Sequence, residues 1–549
     1  MREKDEVVCK AHGLIPYSLI LQLPAQNLRI GFPTWQHPVP VAATAPSRQG
    51  PLDRPMLPTS STVDRDTPSG SVRGLSLDGC EVFSGLPFAQ PPVGGLRFAP
   101  PLPCPPWDGT RDATAAAPMA PQTASRMFTA LGPMSGEQDE NCLTLSIWAP
   151  SGARQAPVMV WFHGGAFLTG SGSQPWYDGA RMAREQGVIV VCPNYRLGAL
   201  GYLAAPGVSE GNLGLRDQLA ALHWVRDNIA AFGGDVDNVT VFGQSAGAHA
   251  IAMMLASEDA DGLFRRAILQ SAPFGLEPQP REAAFERSQI FFEEMGLERG
   301  RAANLRAASV ERILAAQDWA GARLRNPRRG DFTPPFAPVV DAPWQAGGTP
   351  LWKAAAIGAA RRKVDVMVGW TRDEGALFLS LLPDRAGIDG KFASSVAEGL
   401  FGDAAAGAVA AARARRAPPD DAALCEELLT DALFRSGSLA FADALSSRGG
   451  NVQVYRFDIE SPAPELRACH CIDLPFMFGN IDAWSGARLL GGAERSHLDS
   501  LSIDIMTRWT GFARGGGSTR SAWRPGARAA MVIGHSGCRT VAVEDADLF

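Results

Sequence analysis

The sequence predicts an α/β fold, a large and mostly parallel central sheet with helices on both faces. Two observations carry that expectation. Short, continuously apolar runs recur from residue 158 onward, and longer amphipathic stretches separate them, as where helices return the chain between parallel strands. Composition agrees: with 46% hydrophobic and 20% charged residues, the 549-residue chain can bury a sizeable core and lacks the bias of a disordered one.

Along the chain, residues 1–60 are expected to form a flexible extension, because Pro33, Pro38, Pro40, Pro46, Pro51, Pro55 and Pro58 block regular structure. Organised sequence starts just after Met56, a candidate translation start. Residues 61–549 are expected to form a single domain. Its strand candidates are Val158–Phe162, Val188–Cys192, Val239–Phe242, Arg266–Leu269, Val364–Val368 and Val452–Phe457. Most are too apolar for a sheet with one wet face and suit central strands covered on both sides. Leu215–Ala231 sets Leu219, Leu222, Trp224 and Ile229 near helical spacing. The Ala/Arg-rich tract Asp403–Arg416 reads as a solvated helix.

Charge and cysteine usage exclude several classes. Lys plus Arg 51 against Asp plus Glu 57 leaves −6, which offers no general attraction to nucleic acid or anionic lipid. No apolar run reaches the roughly 18 residues of a spanning helix. Nine cysteines without a CxxC pair indicate neither a disulfide framework nor zinc. The N-terminal residues mix acids with bases, and Pro16 interrupts the apolar stretch Leu14–Leu23, which fits a secretory signal poorly. A cytoplasmic location is expected, with secretion left open.

The candidate nucleophile lies in Gly243-Gln244-Ser245-Ala246-Gly247, directly after the strand VTVF and before an Ala-rich helical stretch. A sharp strand-to-helix turn would expose Ser245 at a helix N-terminus, with glycines on either side relieving crowding and the Ala246 N–H facing an oxyanion. His163-Gly164-Gly165-Ala166-Phe167 follows the strand VMVWF. Its two glycines offer unobstructed N–H groups, so Gly164, Gly165 and Ala246 are the expected oxyanion donors.

These motifs, with VFSGLPFAQPPVGGLRFAPP (Val82–Pro101), DENCLTLSIWAP (Asp139–Pro150) and the long run Gly211–Gly247, resemble the type-B carboxylesterase family of α/β-hydrolases. The resemblance runs from about residue 62 to the C-terminus. It implies a serine carboxylesterase working through an acyl-enzyme, with chain order Ser, acid, His. Asp373-Glu374-Gly375 matches the acid motif and assigns Glu374, with Asp373 its competitor. Cys469-His470-Cys471-Ile472-Asp473 matches the histidine segment and assigns His470, with Asp473 structural. Ser271 resembles a second family serine beside the histidine, or is an ordinary strand-end serine. Phe378 matches an aromatic lining position, or is one more core Phe.

Other histidines fit less well. His249 follows Ser245 by one helical turn, so its side chain would run along the helix, and His497 sits in a surface helix. Two cysteines flanking His470 cannot easily surround one tetrahedral ion, so no metal is expected, and no cofactor. The resemblance also marks departures. Ala120 precedes Pro121-Gln122 where animal members carry the cysteine that would pair with Cys142, and Gln244 stands where cholinesterases carry Glu. With no Trp between Ala120 and Cys142 either, a quaternary ammonium would miss both its charge and its cation–π partner, so choline esters are disfavoured. Expected partners are a small-molecule ester and water; an amidase, carbamate hydrolase, thioesterase or non-catalytic scaffold would share most of the pattern.

Overall fold

Alternating side chains of the central strands enter two separate apolar layers, and this requires helices on both faces. In the strand Ala156–Phe162, Val158, Val160 and Phe162 join one layer while Met159 and Trp161 join the other, and all five are fully buried. The computed structural model describes residues 61–297, 302–340, 348–382, 384–385, 387–515, 523–524 and 526–542. The elements below belong to one compact unit, Ser60–Phe549. The extension expected over residues 1–60 lies outside the described residues.

The sheet has 13 strands. They are β1 (Ser61–Thr67), β2 (Gly70–Leu77), β3 (Cys80–Pro87), β4 (Thr110–Asp112), β5 (Thr144–Pro150), β6 (Ala156–Phe162) and β7 (Ile189–Pro193), then β8 (Gly234–Gln244), β9 (Arg266–Gln270), β10 (Asp365–Thr371), β11 (Val452–Phe457), β12 (Ala529–Gly534) and β13 (Gly537–Ala542). Their spatial order is β1-β2-β3-β5-β7-β6-β8-β9-β10-β11-β12-β13, with β4 beside β2. From β7 across to β12 every neighbouring pair is parallel. The flank β1-β2-β3-β5-β7 and the closing hairpin β12-β13 are antiparallel.

All six strand candidates fall on β6 to β11, and the helix expected over Leu215–Ala231 appears as α1 (Leu213–Asn228), prolonged by a 3₁₀ turn to Phe232. Helices that bear on the site are α2 (Ala246–Ala256), α3 (Glu374–Ser380), α4 (Ala405–Arg416), α5 (Asp421–Thr430) and α6 (Ser436–Ser446). A π-helical turn, Asp431–Arg435, joins α5 to α6. The solvated reading of Asp403–Arg416 needs correction at its end, because Arg415 and Arg416 reach inward to Asp431 and Asp373. No helix is long and apolar enough to cross a membrane among the described residues.

Candidate active site

Every candidate residue follows the carboxyl end of a parallel strand, where ligand sites of such sheets form. β8 ends at Gln244, and Ser245 then caps α2 with φ 56° and ψ −121°. Non-glycine residues rarely adopt this conformation, which costs on the order of 1–3 kcal/mol. Ser245 N–H donates to Gln270 O and His249 N–H to Ser245 O, both at 2.9 Å, which holds the turn. The helix must also pass tightly behind β6: a Cβ at Gly247 would lie 1.9 Å from Phe162 O. Ser245 alone in its motif is partly exposed.

The loop after β6 lies against this turn. A Cβ on Gly164 would stand 2.6 Å from Gln244 Oε1 and 3.2 Å from Ser245 Cβ, and Gly165 has φ 111°. The N–H groups of Gly164, Gly165 and Ala246 donate no hydrogen bond among the described residues. Unpaired donors at a helix start and in a glycine loop suit an oxyanion. His163 braces the loop: its ring stacks on Tyr195 at 4.3 Å, its Nδ1–H donates to Gly164 O at 2.8 Å, and burial lowers it to about 4, so it stays neutral.

Glu374 and His470 come together. Glu374 opens α3, fully buried; its Oε1 accepts Thr371 N–H at 2.8 Å and its Oε2 accepts the His470 Nδ1–H. A carboxylate on Nδ1 leaves Nε2 as the acceptor of the neutral ring. Burial pulls the His470 imidazolium down, but Cys471 and the Glu374 carboxylate more than offset it and hold it well above the ordinary histidine value. The Ser245 hydroxyl makes no hydrogen bond to His470. The Gln244 amide lies there instead, 3.1 Å from Nε2, and also donates to Cys471 Sγ at 3.3 Å. Catalytic hydrogen bonds of this kind commonly tighten only with substrate bound.

The competing acid, Asp373, faces away from His470. Burial would raise its carboxyl, yet Arg416, Arg372 and Arg467 outweigh that and hold it at about 2. Asp473 is buried, accepts Gln270 Nε2–H at 2.7 Å through Oδ2, and leaves Oδ1 unpartnered; burial pushes it up to about 6. Phe378 stands 5.2 Å from the His470 ring, joined by Phe434 at 5.0 Å and by Phe332, 5.5 Å from Phe378. Sequence reading missed Phe434, which lies in an apolar helical run indistinguishable from core. It also missed the Gln244 and Cys471 contacts, although both residues sit inside quoted motifs. Ser271 is buried with φ 49° and an unpartnered hydroxyl, so it neither supports the histidine by hydrogen bonding nor opens to a cleft. His249 Nε2–H donates to Leu276 O at 2.8 Å, its ring packs on Phe167, and burial lowers it to about 4. Cys142 is a free, buried thiol. No group of three or more His, Cys, Asp or Glu residues suited to a metal occurs among the described residues.

A mostly parallel sheet carrying a strained serine elbow, a glycine donor loop and a buried carboxylate–imidazole pair defines an α/β-hydrolase. The carboxylesterase family model matches residues 61–533, so the chain belongs to the carboxylesterase family, serine hydrolases acting on ester bonds. It is 39% identical to a probable N-octanoylanthranilate hydrolase of Rhodococcus erythropolis (85% of this chain, 96% of that protein). It is 35% identical to phenmedipham hydrolase of Pseudarthrobacter oxydans (86% and 95%) and 38% identical to para-nitrobenzyl esterase of Bacillus subtilis (83% and 90%). Among solved structures, a thermophilic para-nitrobenzyl esterase superposes with TM-score 0.77 at 34% identity, covering 88% of this chain and 98% of its own. A Geobacillus stearothermophilus carboxylesterase gives 0.76 at 32% identity, covering 87% and 97%.

Proposed function

We propose that Ser245 is the nucleophile, His470 its general base and Glu374 the acid that orients the base, in hydrolysis of esters with an apolar, aromatic-compatible group. The observation that carries this reading is the Glu374–His470 pair roofed by Phe378 and Phe434 beside the Ser245 elbow. His470 takes the hydroxyl proton as Ser245 attacks the carbonyl carbon, since an unassisted serine is a poor nucleophile at neutral pH. Gly164, Gly165 and Ala246 N–H groups receive the oxyanion, each donor worth about 3 kcal/mol. His470 then protonates the leaving alcohol, and water, deprotonated by the same ring, releases the acid. The aromatic roof supplies apolar contact to the acyl or alcohol group beside the reacting carbonyl.

Replacing Ser245 with Ala is expected to abolish p-nitrophenyl acetate turnover and fluorophosphonate labelling while the protein stays folded; undiminished turnover would overturn the nucleophile. A second reading, cleavage of aryl amides or carbamates by the same residues, is favoured by the relatives named for N-octanoylanthranilate and phenmedipham. Matched ester, amide and carbamate substrates compared by kcat/KM separate the two. A cytoplasmic location is part of the same reading, supported by the free thiols of all eight described cysteines.

A further inference from the structure

The acid loop and the histidine loop are joined by one further carboxylate, beside the one that meets His470. Asp373, whose side chain is fully buried, precedes Glu374, and its backbone N–H donates to Ala468 O at 2.9 Å. In return Ala468 N–H donates to Asp373 Oδ2 at 3.3 Å, and Arg467 Nη2 donates to Oδ1 at 2.8 Å. Both donors come from the segment that leads into His470. Arg467 reaches further, pairing with Glu426 at 3.2 Å, and Gly375, the residue after Glu374, packs so closely on the Glu426 backbone that a Cβ there would lie 2.3 Å from its carbonyl oxygen. Arg416 from the end of α4, 2.7 Å from Asp373 Oδ1, and the neighbouring Arg372, whose Nε donates to Oδ2 at 3.0 Å, complete the junction.

The two loops are distant in sequence and belong to separate strands, β10 and β11. Their relative position sets where the Glu374 carboxylate meets His470 Nδ1. Buried ion pairs are poor sources of net stability, because desolvation consumes most of the attraction; what a forked guanidinium between two carboxylates supplies is fixed geometry. We propose that Asp373 and Arg467 are positioning residues, a clasp that holds the acid loop and the histidine loop in register for proton transfer. This rests on the assignment of Glu374 and His470 given above. Misplacing a reacting pair by about 1 Å is worth up to roughly a hundredfold in rate, so the clasp acts on kcat.

The test uses the full chain and four variants. Arg467→Lys keeps the charge but cannot bridge, and Asp373→Asn removes the centre of the clasp. Asp217→Asn breaks the buried pair with Arg196, 2.7 Å apart and anchored on α1, as a control for lost stability. Ser245→Ala reports on the nucleophile. The expected result is a fall in kcat of about tenfold or more for Arg467→Lys and Asp373→Asn with KM within about twofold. The acid limb of kcat/KM should also move to lower pH, because a loosened carboxylate stabilises the imidazolium less. Glu374, Cys471 and Asp473, the titratable groups bearing on His470, are unaltered in these variants. Asp217→Asn should lower the melting temperature and leave the acid limb in place. Wild-type kcat and acid limb in Arg467→Lys would overturn the clasp, even if Asp373→Asn fails to fold. A silent Ser245→Ala beside unaffected clasp variants defeats the clasp alone, whereas an active Ser245→Ala defeats the assignment beneath it.

Discussion

At the scale of single residues, Gln244 sits on the nitrogen of the base opposite Glu374 and, unlike Glu374, brings it no charge. Its amide lies 3.1 Å from His470 Nε2, on the nitrogen that has to collect the serine proton. A neutral amide there leaves the imidazolium stabilised from the Nδ1 side and by Cys471. Gln244→Glu would add a carboxylate on the opposite side, stabilise the charged ring further, and move the acid limb of kcat/KM to higher pH. Glu374→Gln works in the other direction: the acid limb should move down, and kcat should fall roughly a thousandfold or more, as when the acid of a comparable triad becomes an amide. Profiles of kcat/KM between pH 5 and 9 for the two variants check both signs. The acid itself was only half legible in the chain. Asp373-Glu374 presents two carboxylates in adjacent positions, and no pattern of spacing says which one turns toward His470. The choice depends on Arg416 and Arg467, both distant in sequence, which together with Arg372 draw Asp373 to the other side.

At the scale of elements, the loop after β6 is as tightly specified as any core strand. An added methyl at Gly164 would meet Gln244 Oε1 at 2.6 Å and Gln244 O at 2.9 Å, closer than packed atoms approach, so the loop would shift away from Ser245. Gly164→Ala is therefore expected to lower kcat by about a hundredfold, the effect of misplacing one oxyanion donor, with a smaller change in KM; steady-state kinetics on p-nitrophenyl acetate decide it. Strands β6 to β11 were legible in sequence because cover on both faces demands an apolar residue at nearly every position. The flank was not: β1 reads STVDRDT, its side chains largely exposed, and it becomes a strand only by pairing with β2. The π-helical turn Asp431–Arg435 was equally hidden. Its residues continue an ordinary helical pattern, yet the altered winding sets Phe434 over His470 while Arg435 pairs with Glu427 behind it.

At the scale of the whole molecule, buried carboxylates near the site give stability an uneven dependence on pH, and two of them act in opposite directions. Asp373 has a folded value of about 2 against about 3.9 for a free aspartate. A depressed carboxylate contributes stability above its unfolded value and loses it as pH falls through the folded one, so Asp373 contributes about 2 kcal/mol at neutral pH that disappears between about pH 4 and pH 2. Asp473 is raised to about 6. Its sign is reversed: the protonated form fits the fold, so its contribution is complete below about pH 4 and is lost as pH rises through 6, leaving a cost of roughly 3 kcal/mol at pH 8. Asp473→Asn replaces the carboxyl with a permanently neutral group of the same shape, still able to accept from Gln270. The variant should match or fall slightly below wild type in denaturant unfolding at pH 4.5, and its stability relative to wild type should rise steadily toward pH 8. A difference that stays constant across that range would mean that Asp473 keeps one charge state throughout, and that its unpartnered Oδ1 is satisfied by a neighbour rather than by a proton.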